Sequence, residues 1–85
     1  GLEKLTRLKN LQIHDNQLTD VKGLENLTQL EVLYLHHNKL TDVRGLEKLS
    51  QLNDLRLSNN PDLTKAQIDE LQKALPNCEI VDDHD

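Results

Sequence analysis

Residues 23–44 read GLENLTQLEVLYLHHNKLTDVR, and the rest of the chain is built from near copies of that text. Moved back onto residues 1–22 it matches at 13 of 22 positions, with Gly23 on Gly1, Asn38 on Asn16 and Leu40-Thr41-Asp42-Val43 on Leu18-Thr19-Asp20-Val21. Moved forward onto residues 45–60 it matches at nine of 16, among them Gly45, Leu46, Leu49, Leu52, Leu55, Leu57 and Asn60. A fixed period in the twenties marks a solenoid, in which each unit buries its apolar edge only against its neighbours.

Inside the unit the spacing is Leu30-x-x-Leu33-x-Leu35-x-x-Asn38-x-Leu40, and the other copies carry Leu8, Leu11, Ile13, Asn16, Leu18 and Leu52, Leu55, Leu57, Asn60 at the same intervals. On these residues the chain resembles the leucine-rich repeat family, over about three quarters of its length. The 22-residue period and the Leu-Thr-Asp-Val segment are most similar to the bacterial, internalin-like branch, which lacks a long helix on its outer face. The resemblance implies an α/β leucine-rich repeat solenoid with short parallel strands on a concave face and 3₁₀ or loop arcs on the convex side. Internalin-like relatives are mostly adhesion or recognition proteins at bacterial surfaces. A secreted or cell-surface setting is therefore implied as well.

Composition supports a ladder over a globular core. Nineteen of the 85 residues are leucine, Phe, Trp and Met are absent, and Tyr34 is the single aromatic residue. A stack of like coils can be filled by one branched aliphatic side chain in register, where a globular core of this size usually needs aromatic bulk. The chain has the length of one domain spanning residues 1–85, divided into repeats 1–22, 23–44 and 45–63 and a C-terminal cap over 64–85. A net charge of −5 with ten basic residues provides no basic stripe for a phosphate backbone, so nucleic acid is not an expected partner. No apolar run approaches the ~20 residues of a membrane span, and no signal-peptide pattern is present, so no membrane insertion is expected.

Taken in order, Leu2, Leu5 and Leu8 stand at threefold spacing, which suits a 3₁₀-like convex arc over residues 1–7. The alternating stretches Leu11-Gln12-Ile13, Leu33-Tyr34-Leu35 and Leu55-Arg56-Leu57 predict strands of three to four residues, stacked as parallel neighbours. Asn16, Asn38 and Asn60 fall where the chain turns after each strand, and predict buried amides serving the backbone of adjacent coils. Gly1, Gly23 and Gly45 are expected at positive φ or at close coil contacts.

The third unit breaks the pattern. Pro61-Asp62 inserts one residue, placing Leu63 six positions beyond Leu57 where the earlier copies have five. Thr64-Lys65-Ala66-Gln67 is then a Thr-x-x-Gln capping box, followed by Ile68, Leu71, Ala74 and Leu75 at helical spacing up to Pro76. Leu75-x-x-Cys78-x-Ile80 repeats the strand motif with Cys78 in the second leucine's place, buried and inert, so a capping helix and strand are expected. Cys78 has no partner for an internal disulfide, and the tail from Asp82 to Asp85 is expected to fray. Nothing in the chain precedes the first coil to cover its leucines. That predicts either a piece of a longer array or self-association through the uncapped N-terminal repeat.

Function must come from the outward residues, since the repeat itself is scaffold. The expected rows are Asn10, Val32, Asp54, Asn77, then Gln12, Tyr34, Arg56, Glu79, then His14, His36, Ser58, Val81, with Asp15, His37, Asn59 and Asp82 along the edge. Unlike the leucines these change from coil to coil. A protein- or peptide-binding face is predicted on Gln12, His14, Val32, Tyr34, His36, Asp54, Arg56 and Glu79, with Tyr34 beside Arg56 as the hot spot. The bland alternative for Tyr34 is an aromatic that merely suits an exposed strand. His14, His36, His37 and Asp15 lie close enough to suggest a Zn²⁺ or Ni²⁺ site, or a pH-sensitive pair. Their spacing matches no zinc motif, however, so no metal and no cofactor is assigned. No catalytic residue is assigned either: an open sheet offers no pocket, phosphate loop or activated nucleophile. The alternative to recognition is a structural capping segment or an engineered minimal solenoid without a ligand.

Overall fold

On the outer arc every third residue is apolar, and that spacing turns the chain. In the computed structural model, which describes residues 7–83, the amides of Leu24, Leu27 and Leu30 donate to the carbonyls of Val21, Leu24 and Leu27, each at 3.0 Å. One coil later Leu46, Leu49 and Leu52 donate in the same way to Val43, Leu46 and Leu49. Side chains three apart eclipse one another in such a turn. All of these therefore face the interior, where all but the half-buried Leu24 are buried. The regular 3₁₀ segments are Leu24–Asn26 and Leu46–Lys48. Gly23 and Gly45 open them at φ +89° and +108°, as expected, a region that costs an L side chain about 1–2 kcal/mol. Gly1 and most of the arc predicted over residues 1–7 lie outside the described residues.

After each arc the chain runs into a short strand: β1 (Asn10–Gln12), β2 (Val32–Tyr34), β3 (Asp54–Arg56) and β4 (Glu79–Val81). Each of the first three starts one residue before the alternating stretch that predicted it. They pair in parallel in the order β1-β2-β3-β4, with Leu11 beside Leu33 and Leu33 beside Leu55. Leu33, Leu35 and Leu55 are fully buried, while Leu8, Leu11, Ile13 and Leu18 in the first coil are only partly buried.

The interior asparagines stitch one coil to the next. Asn60 Nδ2 donates to the carbonyls of Leu57 (2.9 Å) and Ser58 (3.3 Å) in its own coil and of Leu35 (3.0 Å) in the preceding one. Its Oδ1 accepts from the amide of Leu40 at 3.1 Å. Asn38 repeats the pattern, donating to Leu35, His36 and Ile13 and accepting from Leu18. Asn16 is exposed, and its amide reaches only Ile13 and His14 of its own coil. The carbonyls of His36 and Ser58 also accept from the amides of Asp15 and His37, whereas for the carbonyls of Leu35 and Leu57 and the amides of Leu18 and Leu40 the asparagine side chains supply the partner.

The third arc widens into helix α1 (Lys65–Ala74), capped by Thr64, whose hydroxyl accepts from the Gln67 amide at 3.2 Å. The reciprocal half of the capping box is not made. Gln67 Nε2 instead reaches across to the carbonyl of Thr41 at 3.2 Å, tying the helix to the second repeat. Ile68, Leu71 and Leu75 are buried against the last coil, together with Cys78. Burial, with Asp54 and Glu79 nearby, pushes the Cys78 thiol up to about 11, so it stays protonated at neutral pH.

Two expectations for the C-terminal segment need correction. β4 pairs Asp54 with Glu79, Leu55 with Ile80 and Arg56 with Val81. Glu79 therefore stands beside Asp54, not Arg56, and Val81 takes the place beside Arg56 that Glu79 was expected to fill. The physical reason is the helix: its outer arc uses more chain than a 3₁₀ arc, and the strand enters the sheet two residues later than the motif suggests. A slip of two keeps inward and outward faces unchanged, which is why the spacing could not reveal it. The tail is also less free than expected, because Asp83 Oδ2 accepts from the Asn59 amide at 2.7 Å. His84 and Asp85 lie outside the described residues.

Candidate functional site

The parallel register turns the outward positions of the strands into rows. Asn10, Val32, Asp54 and Glu79 form one, and Gln12, Tyr34, Arg56 and Val81 the next. Just beyond the strand ends His14 and His36 stand side by side. All eight residues predicted for the face are at the surface or half-buried on this side of the sheet.

At its centre lies a cluster around Tyr34. The Arg56 guanidinium carbon sits 4.5 Å from the Tyr34 ring centroid, a cation–π contact. Asp54 joins the two: its Oδ2 accepts from the Tyr34 hydroxyl at 3.4 Å, and its Oδ1 lies 3.6 Å from Arg56 Nε. The pairing of Tyr34 with Arg56 was legible from the register, whereas the part of Asp54 was not. It comes from a neighbouring row, and only a side-chain conformation can bring it there.

Towards β1 the aromatic run continues. The rings of Tyr34 and His36 are 5.8 Å apart and tilted by 57°, and His36 stacks on His14 at 4.5 Å with an interplanar angle of 7°. Nδ1 of both histidines is buried without a hydrogen-bond partner among the described residues. Burial, followed by the neighbouring His14 and His37, holds the His36 imidazole below its ordinary value of 6.5. Among the described residues no group of three or more His, Cys, Asp or Glu side chains is placed to hold a metal ion. The suggested Zn²⁺ or Ni²⁺ site is thus not assembled.

The residue types of the edge row have a backbone explanation that spacing does not encode. Asp15, His37 and Asn59 share φ values of 60°, 58° and 59°, so the first three coils each leave their strand through one left-handed residue. Asp, Asn and His are enriched in that conformation. The types found at these positions follow from the turn, and no ligand is needed to account for them. His37 Nε2 lies 3.2 Å from Asn59 Nδ2, and its Nδ1 lies 4.0 Å from Asp15.

A groove of about 560 Å³ lies elsewhere, between the convex arc and α1, lined by Asp42, Arg44, Glu47, Gln67, Glu70 and Lys73 among others. Its charges are of both signs. Arg44 is already held by Asp42 at 2.7 Å, and the Gln67 amide is used in bonding to Thr41. The groove therefore offers less unspent chemistry than the sheet face. No helix among the described residues is long and apolar enough to cross a membrane.

The family description "Leucine Rich repeats (2 copies)" matches residues 6–47 and again residues 28–77. An internalin (inlF) of Listeria monocytogenes is 35% identical with a TM-score of 0.83, over 94% of this chain and 23% of that one. A leucine-rich repeat protein of Leptospira interrogans is 32% identical with a TM-score of 0.80, over 91% of this chain and 20% of its own. Internalin C2 of Listeria monocytogenes is 30% identical with a TM-score of 0.79, over 95% and 34%. The chain thus spans about a fifth to a third of the length of these proteins. No curated protein sequence matches it. With an arc, strand and asparagine turn recurring every 22 residues and the family pattern matched over most of its length, the chain belongs to the leucine-rich repeat family, with repeats similar to those of bacterial internalins.

Proposed function

We propose that the chain recognises a protein or peptide through its concave sheet face, with Gln12, His14, Val32, Tyr34, His36, Asp54, Arg56 and Glu79 as the contact surface. Leucine-rich repeat domains are in general protein-interaction modules, and the internalin neighbours fit that setting. The observation that carries the reading is the contrast between the two sides of each strand. Inward positions repeat the same aliphatic, while outward ones hold an amide, an aromatic, a cation, carboxylates and imidazoles on one preformed support.

The Tyr34–Arg56–Asp54 cluster is the anchor of that surface. Tyr34 is fixed by a ring contact and a hydroxyl bond, so its ordering entropy is largely spent before a partner arrives. Tyrosine and arginine are also the types that most often dominate an interface. Catalysis has no part in this reading.

The test begins by selecting a ligand for the immobilised chain from displayed peptides and extracellular protein domains. Affinities are then measured for Tyr34→Ala with Arg56→Ala, and separately for the convex pair Glu25→Ala with Lys48→Ala. The concave pair is expected to weaken binding about 30-fold or more, the level of a hot spot, and the convex pair to leave it within about twofold. The reverse pattern, or equal loss from both, would remove the concave face from the function.

A further inference from the structure

The histidine stack is not needed by the fold. His14 and His36 lie beyond the ends of the strands, both are half-buried, and the coil contacts are made by leucines and asparagines beneath them. Yet the two rings are nearly parallel at 4.5 Å, and Nδ1 of each is enclosed with no acceptor among the described residues. That arrangement suits neutral imidazoles with the proton on Nε2. Protonation would place an N–H at an enclosed Nδ1 that nothing can receive, and a second proton would set two cations face to face.

We propose that the His14–His36 stack is a pH-sensitive clasp in the concave face, closed when both rings are neutral and opened by acid, so that the recognition surface beside Tyr34 is dismantled on acidification. The inference rests on the recognition reading for its biological meaning. The opening of the stack does not.

The groups facing His36 are few. His14 stands on it from the β1 side, and His37 lies edge-on with ring centroids 5.5 Å away. Arg56 on β3 adds a further positive charge, and Asp15 is, among the described residues, the carboxylate that favours the protonated form of His36; its Oδ2 also lies 3.9 Å from Nε2 of His14. The Tyr34 ring closes the remaining side. Desolvation and three cationic or potentially cationic neighbours outweigh Asp15, so the folded protein binds the His36 proton less readily than the unfolded chain does. The sign follows: the closed arrangement is fully favoured above an ordinary imidazole value of 6.5 and is lost as pH falls from there through the lowered folded value.

Tyr34 is the only aromatic residue of the chain, so its emission reports the surface directly. A pH titration from about 8 to about 5 brackets the imidazole range. Over it, Tyr34 emission is expected to change in the wild type with the midpoint of His36. The midpoint should move upward in His14→Gln, where one positive neighbour and the stacked face are gone, and the change should vanish in His36→Gln. In the unaltered chain, nuclear Overhauser contacts between the carbon-bound ring protons of His14 and His36 should be present at the alkaline end and absent at the acid end. Ring contacts that persist in acid or are missing throughout, or a midpoint indifferent to His14→Gln, would overturn the clasp. No partner enters these readouts, so their failure leaves the recognition reading intact, and failure of the Tyr34 and Arg56 substitutions to affect binding leaves the clasp measurement standing.

Discussion

Asn60→Ala is expected to lower the free energy of unfolding by about 3–5 kcal/mol, whereas the same change at Asn16 is expected to cost less than about 1 kcal/mol. The chemistry removed is the same, and the difference lies in what is left behind. At position 60 the substitution strands the buried carbonyl of Leu57 and the buried amide of Leu40, groups that water cannot reach, while the Leu35 carbonyl keeps its bond from Asn38. Each such orphan costs about 1–3 kcal/mol. Asn16 is exposed and serves carbonyls of its own coil, so solvent replaces most of what it gives. Asn38→Ala leaves only the half-buried Leu18 amide without its partner, because Asn16 and Asn60 still donate to Ile13 and Leu35, so its cost should fall between the other two. Urea unfolding of the three single variants measures the series. Equal losses at all three positions would mean that the asparagines act within their turns and do not join coils.

Leu33→Ala is the second large effect, at about 3–4 kcal/mol, with Leu11→Ala expected to cost less than about 2 kcal/mol. Leu33 is fully buried at the centre of the sheet, with Leu11 and Leu55 on either side in register. The neighbours are held by their own coils and cannot collapse into the space, so the cavity persists. Leu11 is only partly buried, and truncating it removes less contact and leaves less void. A small domain has a total stability of about 5–15 kcal/mol, so the inner substitution removes a large share of it. Thermal or urea midpoints compare the two. If Leu11→Ala is as costly as Leu33→Ala, the burial gradient from the first coil inward is wrong.

What the sequence made legible was whatever a period can carry. The spacing of Val21, Leu24, Leu27 and Leu30 dictates a turn with three-residue bonds because side chains three apart are eclipsed only there. The inward alternation at Leu33 and Leu35 dictates a strand, which starts and ends one residue earlier than that stretch, at Val32–Tyr34. Asn38 and Asn60 stand where the interior has unpaired backbone groups, and a buried amide in a repeated position has few other reasons to recur.

The rest depended on geometry that spacing does not encode. The slip of β4, which moved Glu79 from Arg56 to Asp54, preserves every inward and outward assignment and so leaves no trace in the pattern. The left-handed residues Asp15, His37 and Asn59 looked like functional variety at the edge because three different side chains satisfy one backbone requirement. The reach of Asp54 to both Tyr34 and Arg56, and of Gln67 to Thr41 away from its own cap, are rotamer choices made by the surroundings. For the candidate face, membership was legible from the alternation, but the internal wiring was not.

The outward rows are a preformed surface only if the coils form one body. Site-resolved amide exchange of the unaltered chain tests this most directly. Ile13, Leu35 and Leu57 each donate to the next coil, at 3.0, 2.9 and 2.7 Å, and Leu40 donates to Asn60. Leu35, Leu40 and Leu57 are expected to exchange as slowly as the amides of Leu71 and Leu75 in and after α1, because opening any of them requires the stack to come apart. Exchange of Leu35 and Leu40 near the free-chain rate while the helix stays protected would show coils that open independently, and a concave face that is not preformed.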